Sequence, residues 1–336
     1  MSASVTTATS TVRSMRIVIV GAGAVGGTVA ARLALSGQDV AVVARGAHSA
    51  AIRERGLHFE SPVDDVVVAL PVFERVDEVD WRPGDAVLLG VKSQDTAPLL
   101  DVLRLVVPAG TPIVCLQNGV DNERQALRRF ADVYGVCVML PADHLEPGRV
   151  RVYTDPPGIL DIGRYPGGVD ATCEALAAAF RAGGFGSEPR ADVMAWKHRK
   201  LMLNLLNAVE ALTGPYADWP SDGPLVSRVF AEGEAVLAAA GIEVVDADVD
   251  AARRGDTLAL RPVGGVQRQG GSTTQSLQRG TPVETDYLNG EIVLLGRLHG
   301  VPTPVNALLQ RLLAETAAGD EPTAPLTEAD ILALLT

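Results

Sequence analysis

At 336 residues the chain exceeds the roughly 250–300 residues at which a single hydrophobic core stops growing, so two domains are expected. Hydrophobic residues make up 47% and charged residues 21%, enough apolar material for a sizeable core, which excludes global disorder. The formal net charge of -12 excludes a general nucleic-acid binder, whose affinity comes from Lys and Arg neutralising phosphates, but leaves room for a local basic pocket.

Residues 1–14, rich in Ser, Thr and Ala, read as a disordered tail ahead of Met15 and lack the apolar stretch of a signal peptide. The first element is Ile17-Val18-Ile19-Val20 after Arg16, a β-branched run ending in glycine, as in a fully buried parallel strand. A helix follows, with Val25, Val29 and Leu33 on its apolar face, and Ser36-Gly37 ends it. Asp39 to Val43 reads as a second strand, which completes a βαβ unit.

Gly56–Phe73 suggests a hairpin, or two short strands, inserted into the wound sheet. Ala86–Val91, Pro112–Leu116 and Val133–Met139 are further buried strands, with a helix over Ala97–Val106. Arg149 to Gly163 reads as antiparallel strands turning at Pro156-Pro157-Gly158, before a helix over Thr172–Arg181. Together these give an α/β class: an N-terminal Rossmann-type doubly wound sheet over 15–190, then a mostly α-helical C-terminal domain over 191–336. Helices are expected at Val193–Ala211, Leu225–Ala240, Val283–His299 and Pro304–Ala318, a loop at 253–280, and a hinge at Gly183–Pro189.

No apolar run reaches the length of about 18 residues that spans a bilayer, so a cytoplasmic product without a membrane partner is expected. Cys115, Cys137 and Cys173 are widely spaced and form no CxxC pair, which predicts buried thiols and no metal site.

The clearest motif is Gly21-Ala22-Gly23-Ala24-Val25-Gly26, a GxGxxG directly after a strand and before a helix. Gly21 permits the tight turn, Gly23 lets a pyrophosphate approach the backbone, and Gly26 lets helix and strand pack closely. The helix N-terminus adds free N–H groups and a partial positive charge for the phosphates. At the end of the second strand an NAD site offers an acid; here stands Arg45, a guanidinium suited to a 2′-phosphate, so NADP(H) is expected.

Two further strand ends carry Lys92-Ser93-Gln94 and Gln117-Asn118-Gly119, where an open α/β sheet presents its ligands. Asn118 reads equally as a ligand amide or as part of an Asn-Gly turn. In the helical half, Lys200, Asn204 and Asn207 fall at i, i+4 and i+7 and form a polar stripe on an apolar helix. A desolvated lysine titrates below its usual range, which makes Lys200 a competent general acid and His198 a weaker rival. The chain closes with Glu284 and Asp286 near a helix start, preceded by the polar loop Ser272 to Ser276.

These motifs, in their order and spacing, resemble the ketopantoate reductase family (2-dehydropantoate 2-reductases) from Met15 to about Glu315. The marks are the glycine motif, Val91-Lys92, Gln117-Asn118-Gly119, Arg199-Lys200-Leu201 with Asn204, and Glu284 to Gly290. The resemblance implies NADPH-dependent reduction of ketopantoate to pantoate, with Lys200 as general acid and Glu284 orienting the substrate hydroxyl and the lysine. It places Asn118, Asn204, Asn207 and Ser272 on the substrate and Gly21–Gly26, Arg45, Lys92 and Asn118 on the cofactor. A homodimer is the assembly to test. The sequence departs from the family at three places: the segment after Asn204 is one residue shorter and lacks a proline, Ser276 replaces an expected Asp, and the stretch Asp246–Gln269 is unusually polar and glycine-rich. A related NADPH reductase for another 2-oxo acid or ketone therefore stands as an alternative, as does a non-catalytic NADP-binding sensor, against which Lys200 and Glu284 argue.

Overall fold

The computed structural model describes residues 15–214, 223–319 and 325–335. The tail expected over 1–14 lies outside the described residues. Four-residue apolar runs form the centre of the main sheet: β1 (Ile17–Val20), β2 (Val40–Val43) and β6 (Ala86–Leu89), flanked by β5 (Val72–Phe73), β7 (Ile113–Cys115), β8 (Val133–Met139) and β11 (Ile159–Arg164). The seven strands run in the order β11-β8-β7-β6-β1-β2-β5, all parallel except β11, which is antiparallel to β8.

Side chains alternate across each strand, so one sheet buries two cores. Ile17 and Ile19 pack with Val29 and Leu33 of α1 (Ala24–Leu35) and with Leu176 and Phe180 of α5 (Ala171–Ala182). Val18 and Val20 face the other way, against Leu100 and Leu103 of α3 (Ser93–Val106). This is the doubly wound arrangement read from the sequence.

Three expectations need correction. The segment 57–68 does not enter the wound sheet. β3 (Leu57–Glu60) and β4 (Asp65–Val68) form a hairpin in a separate four-stranded sheet, order β4-β3-β10-β9, with β9 (Ala142–Asp143) and β10 (Arg149–Val152). Strands β10 and β11 therefore do not pair with each other, because α1 lies beneath the small sheet and each finds a different partner. Nor is Gly183–Pro189 a free hinge. Leu160 and Ile162 donate to the carbonyls of Gly186 and Glu188, so the segment runs zipped along β11.

The helical half has its own core, formed by α7 (Leu206–Thr213), α8 (Pro224–Ala239), α11 (Asn289–His299), α12 (Pro304–Ala318) and α13 (Glu328–Ala333). The region 253–280, expected as loop, contains the end of α9 (Ala247–Arg254) and all of α10 (Ser272–Gln278). Between the halves runs α6 (Val193–Asn204). Its first turns pack on β8 and β11, while Leu201 and Met202 enter the helical core. A helix belonging to both cores explains why composition shifts near residue 190 without a linker. The helix expected to continue to Ala211 breaks at Leu205, and Asn207 opens the next helix.

Candidate active site

At the carboxyl ends of β1, β2 and β6 a cleft of about 970 Å3 is lined by Gly21, Ala22, Gly23, Arg45, His48, Lys92, Gln94, His144 and Arg279. The glycines fit a bound dinucleotide. A Cβ on Gly21 would lie 2.7 Å from the backbone of Gly90 and Val91, and one on Gly26 would lie 2.0 Å from the Gly21 carbonyl, whereas Gly23 faces open space. Side chains are thus forbidden where the loop closes on itself, and room is left where a pyrophosphate would lie. The first turn of α1 has no side-chain cap and no acid, so its N–H groups are free for phosphate oxygens.

His48 holds this loop. Its Nδ1 accepts from the Gly148 N–H at 2.8 Å, which assigns the proton to Nε2, and Nε2 donates to the Ala22 carbonyl at 2.7 Å. His144 Nε2 stands 3.0 Å from the same Nδ1. Burial pushes both imidazoles down, His144 to about 3 with the help of His48 and Arg279. Arg45 caps α2 (Gly46–Arg55), is 81% exposed at its side chain and lies 3.9 Å from Asp95, so its guanidinium is open to solvent at the cleft mouth.

All three lysines of the chain lie along the seam between the halves. Lys92 crosses it, donating to Ser276 Oγ at 2.9 Å, to Thr281 Oγ1 at 3.3 Å and to the Pro282 carbonyl. Desolvation pulls its pKa down, offset in part by the charge of Glu284. Ser276, in place of the family's acid, gives Lys92 a neutral partner.

Glu284 does not meet Lys200. Its Oε1 accepts from the Ser93 N–H and Ser93 Oγ, both at 2.9 Å, because the start of α3 offers unpaired donors, and no ion pair joins it to Lys200. Its Oε2 makes no protein hydrogen bond among the described residues. From Ser93 a polar chain runs inward: Asn122 donates to Ser93 Oγ and to the Asn118 carbonyl, and Gln117 donates to Val91 O and Thr96. This chain sets the Gln117-Asn118-Gly119 turn, whose Gly119 lies so close to the Tyr287 carbonyl that a Cβ would stand 3.1 Å away.

Lys200 is surrounded by protein yet keeps some contact with solvent. Among the described residues it enters no hydrogen bond or ion pair, and desolvation lowers its pKa. The groups that act on it electrostatically are Cys137, Arg268, Asp250 and Arg254. Asn204, one turn on, is buried with an unpartnered Nδ2. Asn207, beyond the break, sits beside Gly271, next to Ser272 at the start of α10. His198 donates Nδ1–H to the Met194 carbonyl and is held to its own helix.

The fully buried lysine is Lys197, which the sequence reading passed over. Its Nζ lies 2.6 Å from Glu123 Oε1 and donates to the carbonyls of Gln117 at 2.9 Å and Val136 at 3.3 Å. Gly135 leaves the room: a Cβ there would stand 3.1 Å from the Glu123 carboxylate. Glu123 lies in a segment without apolar periodicity, so nothing in its neighbourhood announced a buried acid.

A glycine cradle at the strand ends, in a chain that also holds a desolvated ammonium on the helix between the halves, is the outline of a nicotinamide-dependent oxidoreductase. The family described as Ketopantoate reductase PanE/ApbA matches residues 17–167, and its C-terminal counterpart matches residues 192–317. A 2-dehydropantoate 2-reductase of Mesorhizobium japonicum is 30% identical over 90% of this chain and 98% of its own. That of Halobacterium salinarum is 31% identical over 89% and 98%. A crystal structure of a PanE/ApbA family ketopantoate reductase from Ralstonia eutropha superposes with a TM-score of 0.77 at 31% identity, covering 90% of this chain and 98% of that one. The chain belongs to the ketopantoate reductase family.

Proposed function

We infer that the protein catalyses the NADPH-dependent reduction of 2-dehydropantoate to pantoate. The observation that carries this reading is Lys200: a desolvated ammonium without a protein partner among the described residues, in a chain whose glycine loop closes on itself at Gly21 and Gly26 and leaves room at Gly23 for a pyrophosphate. When bound, NADPH supplies the hydride that reduces the keto carbon. Gly21, Ala22, Gly23, Ala24, Val25 and Gly26 hold its pyrophosphate, Arg45 its 2′-phosphate, and Lys92 and Asn118 its inner end.

As negative charge grows on the keto oxygen, the Lys200 ammonium donates its proton, the oxygen becomes the hydroxyl of pantoate, and the neutral amine is reprotonated from water. A lowered pKa brings donor and developing alkoxide closer in proton affinity. Asn204, whose buried Nδ2 has no partner among the described residues, would donate to the substrate, with Asn207 on α7 and Ser272 on α10 as its further polar contacts. The free Oε2 of Glu284 accepts the substrate hydroxyl, while its bond to Ser93 fixes that carboxylate in place of the lysine contact expected from the sequence.

Ser276 in the Asp position and the helix boundary between Asn204 and Asn207 favour testing other 2-oxo acids alongside. Steady-state oxidation of NADPH with 2-dehydropantoate decides: turnover supports the reading, turnover on other 2-oxo acids alone moves the substrate, and cofactor binding without turnover on any refutes it. The reading also carries a cytoplasmic location and a homodimer, the latter checked by sedimentation. Among the described residues no helix is long and apolar enough to cross a membrane.

A further inference from the structure

Arg268 stands out in the loop between α9 and α10. The loop is pinned at both ends: Arg261 N–H donates to the Tyr153 carbonyl at 2.8 Å, and Gly271 N–H donates to Glu210 Oε2 at 2.7 Å. It therefore stretches from the small sheet of the N-terminal half to α7 of the helical half, with Arg268 between the two anchors. The Arg268 side chain is half-buried, its Nε is buried without a partner, and among the described residues it enters no hydrogen bond or ion pair.

The acids in its electrostatic neighbourhood are Glu210 and Asp143, and both are committed elsewhere. Glu210 holds Gly271, and Asp143 accepts from the Tyr153 hydroxyl. Lys200 shares the same field, and among the described residues neither cation forms an ion pair, Asp250 near Lys200 being paired with Arg254. Two desolvated cations without an anion cost free energy that a bound anion recovers, and a planar guanidinium suits a carboxylate through two parallel hydrogen bonds. The anion is not the cofactor's phosphate, because Arg45, Arg75, Lys92 and Arg279 line the dinucleotide cleft and Arg268 does not.

We propose that Arg268 is the carboxylate clamp of the active site, taking the C1 carboxylate of a 2-oxo acid while Lys200 takes the keto oxygen on the adjacent carbon. The proposal rests on the reductase reading for the identity of the keto acid, and on the side chains alone for the presence of an anion subsite. It makes the enzyme select acids over neutral ketones, since removal of the carboxylate would leave both cations unpaired.

The test is calorimetric titration of the NADP+-loaded full chain with oxamate, a carboxylate isosteric with a 2-oxo acid, and with oxamide, its neutral counterpart. The wild type should prefer oxamate. Arg268→Gln should weaken oxamate roughly 100-fold, the loss of a charge-assisted bidentate pair, and leave oxamide and NADP+ unchanged. Arg268→Lys keeps the charge without the fork and should weaken oxamate by about tenfold. In turnover, the Gln variant should raise KM for 2-dehydropantoate far more than it lowers kcat. Equal affinity of wild type and either variant for oxamate overturns the clamp, as does a wild type that binds neither probe. A clamp that behaves as stated in a protein that does not reduce 2-dehydropantoate overturns the substrate reading alone.

Discussion

Lys197 and Lys200 are one turn apart on α6, and the structure assigns them opposite consequences on replacement by methionine. Lys197 is 2% exposed at its side chain and is the counter-ion of Glu123, which is fully buried. Methionine fills the volume of the stem but removes the contact at 2.6 Å and two hydrogen bonds to carbonyls, leaving a carboxylate that desolvation already pushes above its ordinary pKa. Breaking one partner of a buried pair costs about 3–5 kcal/mol. At a urea dependence of about 3 kcal/mol/M, the unfolding midpoint should fall by on the order of 1 M. The double variant Lys197→Met with Glu123→Leu should recover most of that loss, because no charge remains buried. Lys200→Met should behave in the reverse way. It removes a desolvated cation without a partner, so the urea midpoint should hold or rise, while kcat with NADPH falls by roughly 100-fold or more through loss of the general acid. Urea unfolding by circular dichroism and steady-state kinetics on the same preparations supply both readouts. If Lys200→Met keeps a near-normal kcat, or if Lys197→Met leaves the midpoint unmoved, the division between structural and catalytic lysine is wrong.

Because the Lys200 pKa is lowered, kcat should decline as pH rises through a value below 10.5, and that limb should vanish in Lys200→Met; a limb that persists assigns the titration to another group. His144 titrates at about 3 in the folded chain against an ordinary value near 6.5, so the unfolded state binds the extra proton between those values and stability is lost as pH falls through that window. Thermal unfolding of His144→Gln should show a shallower decline from pH 6 to pH 4 than the wild type, by up to about 1.4 kcal/mol per pH unit. Arg45→Ala should narrow the preference for NADPH over NADH by roughly tenfold, since an exposed guanidinium contributes a partly screened contact to the 2′-phosphate; an unchanged ratio of kcat/KM values moves that contact elsewhere.

The wound sheet was legible because each of its strands is a short apolar run bounded by turn residues, and the cofactor loop was legible because glycines are required there for steric reasons that act within six residues. The small sheet was not. Its strands β3 and β10 come from segments nearly a hundred residues apart, and nothing in either segment specifies that they pair in parallel against α1. The break at Leu205 is equally silent in an unbroken apolar helical pattern, and it puts Asn207 on the helix that follows the one carrying Lys200 and Asn204. For the site, residue types singled out Lys92, Lys200, Asn204 and Glu284 as polar groups in apolar surroundings. Their pairing depends on which donors are left free at helix starts, and for that reason Glu284 went to Ser93.

The lysines show how one residue type is divided among three tasks by the partners available. Lys197 has a carboxylate and two carbonyls, is fully satisfied, and is thereby excluded from chemistry. Lys92 has hydroxyls and a carbonyl, keeps its charge uncompensated at close range, and remains able to attract an anion in the dinucleotide cleft. Lys200 has none among the described residues, and the groups whose charge acts on it include two cations, Arg268 and Arg254, beside Asp250. A protein that needed only a stable seam would neutralise the last two with acids, as it did for the first. Leaving them unpaired lowers stability, and an anionic ligand bound between the halves offsets that cost, so ligand binding and the stability of the seam are linked.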